Sequence, residues 1–399
     1  MPDTAQVASA TTVATLSASR TVRLAGAGLS LIAVCYGLAR FAYGLFLPSF
    51  RETFALSAGQ AGLIASAGYA AYCVGTVAAT VTTARFGARA VSVAAGVLAT
   101  VGTAMIALAP TGLVLAVGVT VAGTSTGLAS PALAHAIEYR VAPARRDRVQ
   151  TVVNAGTGLG VMLSGPVALL AHDRWRAAWL AFAIITAAVT VWVWIRVPTT
   201  RDHAAGTAGG TGRSRLPLPA GALRLFAAAV AVGVASSATW TFGQELLETA
   251  GGHGRTLATT AWIVLGACGL LGAASGDLTR RLGLRRAWTL STLALGLATA
   301  LLAAAAPQAA VAVGASAAFG ALYIALTGIL LLWSIRIHPA RPAAAVGLTF
   351  LLVAVGQSAA APLLGVVTDR TGLTTAFWLS AAVALLAAAL APPARLRTA

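Results

Sequence analysis

Twelve apolar runs, each close to twenty residues long, dominate this chain of 399 residues. A helix needs about 20 apolar residues to cross a hydrocarbon core of ~30 Å. No water is available there to bond backbone N–H and C=O groups, so each run must satisfy its own, which selects helix over open sheet. The runs are too long and too uniform for the short alternating strands of a membrane barrel. The expected fold class is an all-α membrane protein with 12 transmembrane helices. The expected spans are 24–47, 59–83, 90–109, 113–135, 150–170, 177–195, 224–246, 257–279, 287–306, 309–333, 344–367 and 373–391. Only 9% of residues are charged and the mean hydropathy is +0.84, whereas a soluble domain is charged at roughly a quarter of its positions.

The spans fall into two sets of six. Between the sixth and seventh lies a stretch from Pro198 rich in Pro, Gly and Arg, the composition of a flexible linker. The expected organisation is a cytoplasmic tail over 1–22, a six-helix bundle over 23–197, a cytoplasmic linker over 198–222, a second bundle over 223–391 and a tail over 392–399. Nine residues of the first half recur in the second at one offset of 196. Arg85, Gly87, Arg89, Arg140, Arg145, Gly160, Pro166, Asp173 and Arg174 return as Arg281, Gly283, Arg285, Arg336, Arg341, Gly356, Pro362, Asp369 and Arg370. One register over nearly a hundred residues points to an internal duplication. Two pseudo-symmetric halves that rock about a shared central site are what alternating access requires.

Net charge is +17, and all 27 basic residues are arginine. These are scattered between apolar runs instead of gathered on one face, which argues against nucleic acid as a partner. With the N-terminus in the cytoplasm, twenty-one arginines fall on the inside. Arg51, Arg174, Arg176, Arg255 and Arg370 fall outside, and Arg40 lies within the membrane. Such a bias is the main sequence determinant of orientation. It places both termini in the cytoplasm of a multi-pass protein of the bacterial plasma membrane. Trp175, Trp179, Trp192, Trp194 and Trp333 sit near span ends, where an aromatic belt is expected.

Chemistry-bearing clusters are scarce. Cys35, Cys73 and Cys268 lie in apolar runs without paired spacing, so they define neither a disulfide framework nor a metal site. No cofactor is expected. Gly123-Thr124-Ser125-Thr126-Gly127 matches the pattern of a serine nucleophile, but it lies in span four. The nearest histidine, His135, is ten residues along the same helix, roughly 15 Å away, beyond the reach a base needs. An intramembrane serine protease is thus a distant reading, and no enzyme activity is expected. A packing face of small residues explains the glycines.

Two six-span halves around a basic cytoplasmic centre resemble the major facilitator superfamily over nearly the whole chain. The family's loop motif joins spans two and three and recurs between spans eight and nine. Here Arg85, Gly87 and Arg89 match in the first copy, with Thr80 and Ala84 in place of its Gly and Asp. Gly276, Arg281, Gly283 and Arg285 match in the second, with Arg280 in place of the Asp. Asp277 lies at i,i+4 from Arg281 and is the expected substitute partner. The resemblance implies gating by these loops, although both copies lack the Asp of the family's charge relay. Gly156, Gly158, Gly160, Gly165 and Pro166 in span five resemble a motif of the family's antiporters, in which a Pro-bent, Gly-rich helix packs at the outer gate. Leu169 and Leu170 depart from that motif.

Arg40 is the sharpest single residue. It lies roughly 6 Å to the outer side of the middle of span one, where a cation costs at least ~2.5 kcal/mol and persists only against a cavity or a partner. It could be a structural charge, or a counter-charge for an anionic substrate or a coupling carboxylate. Span seven is the mate of span one: Phe41-Ala42-Tyr43-Gly44 aligns with Trp240-Thr241-Phe242-Gly243. Candidate substrate contacts are therefore Arg40, Tyr36, Tyr43, Thr239, Trp240, Tyr323 and Gln357. Glu245 is the candidate proton carrier, or a mark of the helix end. His135 and Glu138 read as a solvated boundary.

The expected function is secondary active transport, with proton-coupled efflux of a small organic molecule by a monomer in the lipid bilayer. The alternative is import of a small organic anion. The topology predicts that cysteines introduced at Ala208 and Gly252, in a cysteine-free background, react with an impermeant maleimide from opposite sides of the membrane. Labelling of both from one side contradicts it.

Overall fold

The computed structural model describes residues 16–171, 174–199, 221–339 and 342–393. Most of both expected tails, nearly all of the expected linker, and Asp173 and Arg341 of the repeat lie outside the described residues. Among the described residues there is no strand; membrane-length helices run back and forth. They are α1 (Ala18–Leu45), α2 (58–86), α3 (88–107), α4 (Gly112–Arg140), α5 (Pro143–Ala171), α6 (Trp175–Arg196), α7 (Ala222–Glu248), α8 (Arg255–Gly269), α9 (Leu284–Ala304), α10 (Ala309–Ile337), α11 (Pro342–Thr371) and α12 (Leu373–Ala387). Several helices outrun the apolar stretches. α1 starts at Ala18, within the expected tail, and α5 starts at Pro143, with Pro at its first turn where a missing N–H costs nothing.

α2 and α3 are separate helices that meet at Gly87, whose backbone is non-helical (φ 82°, ψ 160°). Gly283, at the offset of 196, holds the same conformation (φ 76°, ψ 155°) at the start of α9. A side chain resists positive φ, so glycine is the residue that lets the chain turn there. The duplication is thus visible in backbone geometry. Helix packing repeats it as well. A Cβ on Gly37 of α1 would lie 2.1 Å from the carbonyl carbon of Gly160 in α5. Gly233 of α7 meets α11 in the same manner, its Cβ position 2.1 Å from the Val353 oxygen and 3.0 Å from Gly356 Cα. Small residues permit this backbone approach, which drives association where lipid supplies no hydrophobic force between helices.

Large exposed side chains such as Val74, Val77, Val81 and Leu108 form a lipid-compatible surface. Trp192 and Trp194 are exposed, as a membrane belt requires. Trp175, Trp179 and Trp333 are instead buried. Trp175 and Trp179 pack with Phe50 and Trp333 packs against Trp288, so these indoles are core residues and not belt residues. Position near a helix end could not distinguish the two faces of the helix.

Helix α5 has one interruption, and it does not fall at its proline. The chain runs helically through Pro166, and the interruption falls at Ala155, between Pro143–Asn154 and Gly156–Ala171. α8 loosens into a 3₁₀ turn over Leu270–Ala274 before the short helix Ser275–Leu282.

The glycine seams generate a stability prediction. Gly37→Ala forces α1 and α5 apart and is expected to cost about 1–3 kcal/mol as overpacking. Gly314→Ala, whose new Cβ meets nothing within 4 Å, should leave thermal unfolding of the purified protein unchanged. Equal melting of both variants would show that the seam is not tight.

Candidate functional site

α1 does not stay α-helical. Ala33–Phe41 winds as a π-helix, with Arg40 near its end. Such windings are rare and concentrate at functional sites. The Arg40 guanidinium is surrounded by aromatic rings. Its carbon lies 4.5 Å from the centre of Tyr72, 5.0 Å from Tyr69, 5.1 Å from Phe41 and 5.8 Å from Tyr36. Desolvated contacts of this kind are worth about 2 kcal/mol or more, which is comparable to the cost of an arginine at membrane depth.

Arg40 also reaches across the molecule. Its Nη2 donates to Gln357 Oε1 of α11 at 2.8 Å. The Gln357 amide nitrogen in turn donates to Ser236 Oγ of α7 and to the Tyr323 hydroxyl of α10, both at 3.3 Å. Trp240 forms the adjoining wall. It stacks on Phe41 at 4.1 Å and 26°, and meets Tyr323, Phe319 and Trp262 edge to face. Arg40, Tyr69, Trp240, Tyr43 and Gly44 line one cavity together with residues of α2 and α4. No carboxylate forms an ion pair with Arg40 among the described residues.

The sequence candidates thus fall into groups. Arg40, Tyr36, Trp240, Tyr323 and Gln357 come together around this centre. Tyr36 also shares a hydrogen bond of 2.9 Å with Ser130 of α4. The Tyr43 hydroxyl is committed to the Ala61 carbonyl at 2.8 Å. Thr239 is buried, with no hydrogen-bond partner for its hydroxyl among the described residues. Tyr69 and Tyr72 contribute to the cage as fully as Tyr36. Only their shared helix face, three residues apart, hinted at it in the sequence.

Glu245 lies away from the cavity, in an ion pair with Arg51 of the short helix Leu47–Phe54. That pair joins the two halves at the face opposite the arginine-rich one. Asp369, at the end of α11, accepts from the backbone N–H of Ala58 (2.8 Å) and Gly59 (2.7 Å). The same α2 N-terminus carries a capping box between Ser57 and Gln60, so donors that a helix start normally leaves unpaired are satisfied from both halves. Deeper in the membrane, Ser66 of α2 donates to the Ser358 carbonyl of α11 at 2.6 Å. Gly165 of α5 packs against Ile263 of α8 and Gly158 against Gly266, which puts these two glycines in the seam between halves, whereas Gly156 and Gly160 face α1. Described hydrogen bonds and ion pairs between the halves run from this face to the Arg40 layer, with one weak thiol contact beyond it, Cys73 Sγ to the Leu351 carbonyl at 3.8 Å.

At the arginine-rich face the expected gating residues make other contacts. Arg89 donates to the Val197 carbonyl, and Arg85 lies over Phe86 at 5.2 Å. Asp277 pairs with Arg280 at i,i+3, not with Arg281 as the i,i+4 spacing suggested. Both members of that pair are exposed, so the pair is weak. Gly87 and Gly283 mark the two turns described above; Arg281 and Arg285 follow the same repeat. Ser125 is buried and its hydroxyl donates to the Ala122 carbonyl, an ordinary helix contact.

The Major Facilitator Superfamily profile matches residues 29–361. The chain belongs to that superfamily and is a membrane transporter, not an enzyme. No curated protein matches it significantly. Among solved structures, a variant of the nucleoside transporter NupG is similar in fold with a TM-score of 0.75, at 15% identity over 92% of this chain and 98% of that one. A bacterial homologue of the human lysosomal transporter Spinster, inward-facing and occupied, gives 0.75 at 15% identity, covering 94% and 97%. The inward-open xylose transporter XylE from E. coli gives 0.74 at 14% identity, covering 93% and 94%.

Asp369 offers a direct test of the closure. Asp369→Ala removes acceptors worth about 1 kcal/mol at a helix start, so amide hydrogen exchange over residues 57–66 should quicken about fivefold. Asp277→Ala should leave that exchange unchanged. Unaltered exchange in Asp369→Ala would show that the carboxylate does not hold α2.

Proposed function

We propose that this protein moves a small organic molecule bearing an anionic group by alternating access, with Arg40 as the counter-charge. The observation that carries the reading is a guanidinium within the membrane that faces a cavity and has no carboxylate partner among the described residues. A planar guanidinium fork suits a carboxylate or a phosphate better than a lysine ammonium does. Trp240, Phe41 and Tyr69 beside it suit an apolar or aromatic body. Nucleoside and xylose transporters among the similar folds support a solute of that size.

The coupling ion in this reading is the proton, and Glu245 carries it. Its ion pair with Arg51 joins the halves at the closed face, so protonating the carboxylate weakens closure there and favours opening. Arg51 and Glu245 then sit on the outer side, as the arginine bias indicates, and the protein works as a monomer in the bacterial plasma membrane. The direction proposed is export by proton exchange. It is supported by Gly158 and Gly165 of the α5 stripe lying in the seam with α8. Import of the same anion is the second reading, and the free charge of Arg40 favours it equally.

The test is flux of small carboxylates, benzoate among them, in proteoliposomes at imposed pH gradients of either sign. Arg40→Ala and Arg40→Lys should both lose benzoate flux by at least about tenfold, one strong hydrogen-bonded contact being worth that much, with expression and melting preserved. Glu245→Gln should retain flux but lose its response to the gradient. Normal flux in both Arg40 variants removes the anion reading. Flux that rises with an inward instead of an outward carboxylate gradient at acid outer pH selects import.

A further inference from the structure

The Arg40–Gln357 hydrogen bond has an unusual position. It links α1 of one half to α11 of the other near mid-helix of α11, deeper than the Ser66 and Asp369 contacts. Gln357 is fully buried and its side chain makes three polar contacts, to Arg40, Ser236 and Tyr323. Ser236 and Tyr323 hold the amide nitrogen, which fixes the carbonyl oxygen toward Arg40. The acceptor is a neutral amide oxygen, presented to a cation as one oxygen of a carboxylate would be. Arg40 Nε, by contrast, is buried and unpartnered among the described residues. One donor of the guanidinium is therefore taken by the Gln357 oxygen, and the Nε–H has no acceptor among the described residues.

We propose that Gln357 is a built-in stand-in for the substrate's anionic oxygen. In the empty carrier it occupies Arg40 and, because it belongs to the opposite half, it clamps the closed face shut. A substrate anion and the Gln357 amide compete for the same guanidinium. A charged acceptor makes the stronger bond to arginine, so anion binding displaces Gln357 and removes one of the contacts holding that face closed. A ligand shifts a conformational equilibrium only through its differential affinity for the two states; displacement of an interhalf contact supplies that difference. The clamp rests on geometry alone, whereas the competition rests on the anion reading of the preceding section.

The experiment measures distances between spin labels at Glu52 and Thr256, on opposite halves at the closed face, in a cysteine-free background and without ligand. Gln357→Leu should raise the open population roughly tenfold, the equilibrium equivalent of one hydrogen bond to a charged group. Arg40→Leu should do the same. The double variant should open no further than either single one, because both remove one shared contact. Gln357→Glu, which offers a full charge, should close the face more completely than the parent. Benzoate should open the parent and add nothing to Gln357→Leu.

A closed population in Gln357→Leu equal to the parent's overturns the clamp, as does full additivity in the double variant. A parent that transports benzoate but stays closed in its presence overturns the competition. Absence of benzoate transport counts against the anion reading instead, and the ligand-free distances still decide the clamp. Melting temperatures of all four variants separate loss of the contact from loss of the fold. Ser66, Asp369 and the Arg51–Glu245 pair remain in each variant to hold the two halves together.

Discussion

The organisation of this transporter's centre depends on keeping one arginine charged inside a membrane. A half-buried guanidinium at that depth must draw most of its solvation from the protein. Four aromatic rings and one amide oxygen do this for Arg40. The rings come from α1 and α2, and the amide from α11. Meeting the electrostatic need of one side chain thus requires elements of both halves to converge at one depth.

That convergence relies on close helix packing. α1 can bring Arg40 to the centre because glycines let its backbone approach α5, and Gly44 lets it approach the Trp240 carbonyl of α7. The π-helical winding of Ala33–Phe41 changes the phase of α1 just before the charge. Glycine seams and a rewound helix are costly as helix-forming choices. Their recurrence at Gly37, Gly160, Gly233 and Gly356 shows that both halves accept the cost for tight interhelical contact. Paired seams allow each half to move as a body while the contacts between halves form and break.

The contacts between halves differ in strength and chemistry with depth. At the closed face they are ionic and involve a helix end: Arg51 with Glu245, and Asp369 with the α2 N-terminus. In the middle they are hydroxyl and amide hydrogen bonds through Ser66, Ser358 and Gln357. The Arg51–Glu245 pair is largely buried, so desolvation offsets much of its attraction, and the buried neutral contacts contribute moderately. A closure assembled from several modest terms can be undone by a proton or a ligand that removes one of them.

The sequence by itself determined the class of fold. Runs of twenty apolar residues, the offset of 196 and the skew of arginines follow from membrane thickness, duplication and topology, and each is local or periodic along the chain. Arg40 stood out for the same reason, since a charge in an apolar run is conspicuous at any fold. Only the tertiary structure decided what surrounds it. The Tyr69 and Tyr72 rings, the partner amide of Gln357 and the pairing of Glu245 with Arg51 join residues up to 317 positions apart, and no spacing rule encodes that. The same limit misplaced Trp175, Trp179 and Trp333 and assigned Asp277 to Arg281 instead of Arg280. A helix exposes its period in sequence, but which face meets lipid and which meets another helix is settled only when the helices pack.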